Sequence, residues 1–157
     1  MSGIAGLLGP GTSSERAIVQ IPDGGMRMKV AVIREEFRRG GALHDILLTY
    51  VNDLMRQVSK TAACNAIHTA EERLSRWFLM CRDRVKSEDL NLTQEFIAEM
   101  IGTRRATVTT VALTLQSANL IRYNRGHIKI IDRSGLEAFA CECYEAPGEP
   151  THPARAK

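Results

Sequence analysis

No apolar run in this 157-residue sequence reaches the roughly 18 residues that a membrane-spanning helix needs. The stretch from Met1 to Pro10 also lacks the basic start and long apolar segment of a secretory leader. A cytoplasmic location with no membrane partner is expected. Cysteine is scarce: Cys64, Cys81, Cys141 and Cys143 show no C-x-x-C and no histidine at ligand spacing. Neither a disulfide framework nor a zinc site is expected from that pattern, and reduced, buried thiols are the plain reading. Cys141-Glu142-Cys143 falls on an expected helix, where residues two apart face different directions and cannot chelate together. His44, His68 and His127 each stand alone. With no glycine-rich phosphate loop and no recognisable Ser, His and Asp set, the sequence offers no catalytic residue, no cofactor site and no metal site, and an enzyme is not expected.

What is present fits a soluble chain of one or two small domains, at 44% hydrophobic and 25% charged residues. The net charge of +3 decides little, but its distribution is uneven. From Met100 to Ile131 the chain carries Arg104, Arg105, Arg122, Arg125 and Lys129 with no Asp or Glu, whereas acids gather earlier, among them Glu71, Glu72, Asp83, Glu88, Asp89 and Glu95. One local surface should be positive, as phosphate contact requires.

Residues 1–40 are rich in glycine. Arg16 to Ile21, the Asp23-Gly24-Gly25 turn and Met26 to Val30 read as two strands of a β-structure, too few to be stable alone. From Ala42 the spacing becomes helical: Leu43, Ile46, Leu47, Tyr50, Val51, Leu54 and Val58 recur at steps of three and four up to about Ile67. Leu43, Leu47, Tyr50, Val51, Leu54 and Val58 form a candidate dimer seam; the alternative is a helix packed within its own domain. Thr69 with Glu72 has the form of a capping box opening a helix to about Val85. After a polar connector over residues 86–91 come helices over 93–101 and 104–118, a hairpin over Ile121 to Ile131 turning at Asn124-Arg125-Gly126, and a last helix capped by Asp132 and running to about Tyr144. The tail from Ala146 to Lys157 has the composition of a disordered segment.

The run Gln94, Ala98, Gly102, Val108, Val111 carries the strongest signal. Two short helices crossing at a tight turn need a small residue at their closest approach, a glycine able to take positive φ, and apolar residues that lock the second helix. Thr93 suits the N-cap. With Val108, Val111 and Leu115 inward, periodicity turns Arg105, Ala106, Thr109 and Thr110 outward at the start of the second helix, beside Arg104 and Thr107. Arginine there can pair with guanine and threonine offers a hydroxyl and a methyl, although Arg104 and Arg105 could also touch phosphate alone. The hairpin places Arg125 and His127 near its tip, suited to a sugar-phosphate backbone.

Taken together these residues resemble the Crp/Fnr family of bacterial transcription regulators, over nearly the whole chain. Leu120-Ile121-Arg122-Tyr123 and Gly126-His127-Ile128-Lys129-Ile130 are typical of its wing, and Ser14 to Val19 is similar to the closing strand region of its β-roll. The resemblance implies a mainly α (α+β) fold: a remnant of a cyclic-nucleotide-binding-like β-roll over 1–40, truncated at its N-terminus, a dimerisation helix over 41–67, a winged helix-turn-helix over 68–145, and the tail 146–157. It implies a homodimeric, sequence-specific regulator that binds double-stranded DNA through Thr93, Gln94, Arg104, Arg105, Ala106, Thr107, Thr109, Thr110, Arg125 and His127, and it admits RNA polymerase as a further partner. Glu15-Arg16 stand where cyclic-AMP-binding members carry an Arg-Ser pair, so no cyclic nucleotide is implied. Arg105, Ala106, Thr107 and Thr110 replace the Arg-Glu-Thr-x-x-Arg pattern of familiar recognition helices, implying a different base preference. The rival expectation is a dimerising interaction module, or a fragment that poisons full-length relatives, with little DNA affinity of its own.

Overall fold

The computed structural model describes residues 2–11, 17–19 and 24–145. They fall into two compact units, residues 1–59 and 60–157.

In the first unit, α1 (Ile4–Leu8) meets α2 (Val30–Arg39), and the long helix α3 (Ala42–Ile67) begins. Gly40 and Gly41, both at positive φ, break the chain between α2 and α3. The Phe37 ring lies against His44, with centroids 4.6 Å apart. Two expected strands are corrected here. Residues 24–29 and 17–19 hold no regular element, and Val30 opens a helix; the rest of the first expected strand lies outside the described residues. Met26 to Val30 alternates like a strand, but Val30, Ile33 and Phe37 continue at helical spacing, and Arg39 pairs with Glu35 and Glu36 one turn back. A lone two-stranded ribbon has no sheet to join, so the helical pattern wins.

The second unit follows the order α4 (Ala70–Val85), β1 (Asp89–Asn91), α5 (Gln94–Met100), α6 (Arg105–Ser117), β2 (Ile121–Asn124), β3 (His127–Ile130) and α7 (Arg133–Phe139). Both halves of the Thr69–Glu72 capping box form at the start of α4. The strands make one antiparallel sheet in the order β1-β3-β2. Leu74 and Phe78 from α4, Ile97 from α5, Val108, Val111 and Leu115 from α6, Ile121 and Ile128 from the sheet and Leu136 from α7 are fully buried together as the core. This is a mostly helical fold with a small wing sheet, a winged helix-turn-helix preceded by a long helix.

Two further boundaries differ from expectation. The connector over 86–91 contains β1, whose single inward residue Leu90 is too little for a strand signal. The last helix stops at Phe139, and Ala140 is extended. What pulls the chain away is tertiary: Tyr144 donates to Asp83 at 2.6 Å, the Arg76 guanidinium donates to the Cys143 carbonyl at 3.3 Å, and Glu145 pairs with Lys60.

Candidate nucleic-acid interface

Thr93 is the N-cap of α5, its hydroxyl accepting from the Phe96 amide at 3.2 Å. The helix ends at Ile101, and Gly102 turns the chain at φ +62°, where a β-carbon would be strained. Ala98, 6% exposed, is buried on α5, which packs against α6. Arg104 then enters α6 with an extended backbone and no side-chain cap.

Burial of Val108, Val111, Ala112 and Leu115 fixes the rotation of α6. Arg104, Arg105, Ala106, Thr109 and Thr110 are exposed and Thr107 is half-buried, as the periodicity predicts. Gln94 is the polar link between the helices: its Oε1 accepts from Arg105 Nε at 3.3 Å and from the Thr109 hydroxyl at 3.2 Å. Arg105 is also paired with Glu95, at 2.7 Å. The Arg104 side chain makes no hydrogen bond or ion pair among the described residues, while its carbonyl accepts from the Val108 amide at 3.2 Å. Burial raises the Tyr123 phenol above its ordinary range, and the Glu95 charge adds to this.

The wing turns through Arg125 at φ 47° and Gly126 at φ 86°, the double positive-φ geometry of a tight hairpin. Arg125 is exposed at its tip. His127 is not free as expected: its ring nitrogens meet Asn91 Oδ1 at 2.9 Å and Asp89 Oδ1 at 3.1 Å, so it ties β3 to β1. Arg122 and Lys129 sit directly opposite each other across β2 and β3, both exposed. Like charges so paired repel. Nothing in the sequence spacing singles out that pair, because it depends on strand register.

Along the expected dimer seam, Leu47 is 5% exposed and Tyr50, Val51 and Leu54 are half-buried within the chain itself. Leu43 and Val58 are exposed, as are Ile46 and Met55 beside them.

The expectation that the cysteines and His68 stand apart is corrected. Because α7 ends early, Cys141 and Cys143 lie in irregular chain rather than on opposite faces of a helix. Their sulfurs meet Cys64 and His68 from the end of α3, and all four ligand atoms lie within 4.8 Å of one another. Burial raises the Cys141 and Cys143 thiols above their ordinary range. Burial likewise pushes the separate Cys81 thiol up to about 11.

Comparison with known proteins bears on the second unit. Residues 72–139 match the Crp-like helix-turn-helix domain. No curated protein matches the chain. Among solved structures, the fold is similar to FixK2 from Bradyrhizobium japonicum (17% identity, TM-score 0.65, 73% of this chain and 60% of that one). It is also similar to TTHB099, a CRP-family transcriptional regulator from Thermus thermophilus (24% identity, TM-score 0.58, 67% and 56%). A Crp/Fnr-family regulator from Eubacterium rectale aligns at 21% identity and TM-score 0.54, over 71% and 51%. The chain thus spans between 51% and 60% of the length of these three structures.

Proposed function

Since residues 72–139 match the Crp-like helix-turn-helix domain and the fold is similar to that of a CRP-family transcriptional regulator over part of its length, we propose that this protein is a sequence-specific DNA-binding transcription regulator. The observation that carries the reading is the exposure of Arg104, Arg105, Ala106, Thr109 and Thr110 at the start of α6, on a helix whose opposite side is locked into the core. A second helix so presented enters the major groove with its N-terminal residues on the base edges. Arg105 reads a base, Thr109 and Thr110 offer hydroxyls and methyls, and Arg104 approaches phosphate or base.

On the wing, Arg125, Arg122 and Lys129 contact the phosphate backbone. Asp89 faces Lys129 on its other side, and a phosphate oxygen between Arg122 and Lys129 relieves the repulsion that remains, which favours this role. His127 acts through the sheet it braces and contributes less directly than its position near the tip suggests. Thr93 and Gln94 hold α5 and α6 in place and stand ready to meet the backbone of the same site.

The working form is a homodimer joined along α3, bringing two copies of α6 to a two-fold symmetric site. Leu43, Ile46, Met55 and Val58, apolar and exposed on that helix, favour association; Leu47, Tyr50, Val51 and Leu54 support the seam from beneath. The regulatory role admits RNA polymerase as a further partner. No catalytic step belongs to this reading. Sequencing of duplexes retained from a randomised pool tests it: a palindromic enriched site supports it, and the absence of any enrichment favours a protein-interaction module instead.

A further inference from the structure

The cluster at the end of α3 lies apart from the residues proposed to read DNA. Cys64 and His68 are four apart, one helical turn, so their side chains share a face. Cys64 Sγ lies 3.5 Å from Cys141 Sγ, and Cys143 Sγ lies 3.8 Å from His68 Nδ1. A single zinc ion, with Zn–S bonds of about 2.3 Å and a Zn–N bond of about 2.0 Å, holds tetrahedral ligands about 3.5–3.8 Å apart. Those two donor pairs already have that spacing, and all four donor atoms lie within 4.8 Å of one another. An iron–sulfur cluster attaches its thiolates to separate irons, which asks for a wider opening than a group confined within 4.8 Å.

His68 carries the independent observation. While Nδ1 faces the sulfurs, Nε2 lies 3.2 Å from the Glu142 carboxylate. A histidine that binds a metal through one nitrogen commonly donates the other N–H to a carboxylate, which fixes tautomer and ring orientation. With the proton on Nε2, the Nδ1 lone pair is left for the ion. The site is sheltered: Cys64 and Cys141 are buried, and the His68 side chain is 9% exposed. Three thiolates and a neutral imidazole leave a zinc complex with one net negative charge, and the buried Arg76 guanidinium, bonded to the Cys143 carbonyl, lies beside it to balance that charge.

We propose that Cys64, His68, Cys141 and Cys143 form a mononuclear, closed Cys3His zinc site that fastens the last turn of α3 to the segment following α7, with Glu142 as the positioning residue for His68. Binding converts three thiols to thiolates and releases their protons to solvent. The ion has no open coordination position, so its role is structural.

The test uses the full chain, stripped of metal by a chelator under reductant. Zinc is titrated against a chromophoric competitor, and cobalt(II) is added separately as a spectroscopic probe. The expected results are one zinc per chain and a cobalt complex with thiolate charge-transfer bands and the intense visible bands of tetrahedral geometry. Cys64→Ser and Cys143→Ser remove tight binding. Glu142→Gln keeps the stoichiometry but weakens affinity about 10–100-fold, and Cys81→Ser changes nothing. The wild-type titration stands even if a cysteine variant fails to fold. A reduced wild-type chain that takes up no zinc, takes up copper(I) alone, or gives a cobalt spectrum without thiolate bands overturns the proposal. So does undiminished affinity in folded Cys64→Ser.

Discussion

Arg105 Nη1 lies 2.7 Å from Glu95 Oε1, so the arginine proposed to read a base is held by a carboxylate of the preceding helix. Both side chains are well exposed, and such pairs contribute only about 0–1 kcal/mol. DNA therefore displaces Glu95 at small cost. Glu95→Gln should tighten binding to the cognate site by up to about 5-fold, while Arg105→Ala should lose about 1–3 kcal/mol of discrimination at one symmetric pair of base positions. Fluorescence anisotropy with cognate and singly mismatched duplexes measures both; equal losses on all sequences for Arg105→Ala contradict the base-reading role.

Lys129 stands between Arg122 on β2 and Asp89 on β1, so a repulsion and an attraction, each on the order of 0.2–1 kcal/mol, offset one another in the free protein. Lys129→Gln should therefore leave the midpoint of thermal unfolding nearly unchanged. The same change should weaken all duplexes about equally and reduce the salt dependence of binding by about 0.9 in log–log slope. Calorimetry and anisotropy across a salt series report the two effects separately, and a slope unchanged from wild type removes Lys129 from the phosphate contacts.

Gly135 is a packing requirement. A β-carbon there would meet Leu120 Cδ2 at 2.5 Å and Asp132 Oδ2 at 2.6 Å, and Asp132 is the side chain that caps α7. Gly135→Ala should destabilise by about 1 kcal/mol, at the low end of overpacking costs, because the side-chain ends of Leu120 and Asp132 must shift and the cap is disturbed. Thr93→Ala removes the cap of α5 and should cost about 1 kcal/mol. Denaturant unfolding checks both, and a neutral Gly135→Ala shows that Leu120 and Asp132 yield freely.

The dimer reading separates exposed from buried positions of α3. Met55→Glu with Val58→Glu adds charge to an apolar surface that one chain leaves open, and should yield a folded monomer. Sedimentation equilibrium and circular dichroism decide it. A variant that stays dimeric excludes that surface from the seam.

Local pattern explains what was legible. The helix from Ala42 to Ile67, the Thr69–Glu72 box, the Gly102 turn and the Asn124 to Gly126 hairpin each declare themselves within a few residues, and each forms. The inward positions of α6 followed from the 3.6-residue period, and with them its outward face. Tertiary context governs the rest. Met26 to Val30 alternates like a strand, yet no partner strand for it exists among the described residues, and Val30 opens α2. The end of α7 moved to Phe139 because Tyr144, Cys143 and Glu145 find partners on α3 and α4. The partners of His127 on β1, and the register opposing Arg122 to Lys129, are cross-strand facts. Cys64 and Cys141 are 77 positions apart, so no spacing rule could have joined them.

The most direct test of the central claim is selection of binding sites from a randomised duplex pool at two salt concentrations, with wild type and Arg105→Ala in parallel. The account predicts a two-fold symmetric site for wild type, affinity falling steeply with salt, and loss of preference at one symmetric base pair for Arg105→Ala. Retention of unenriched sequence by wild type, or the same consensus from both proteins, would contradict it.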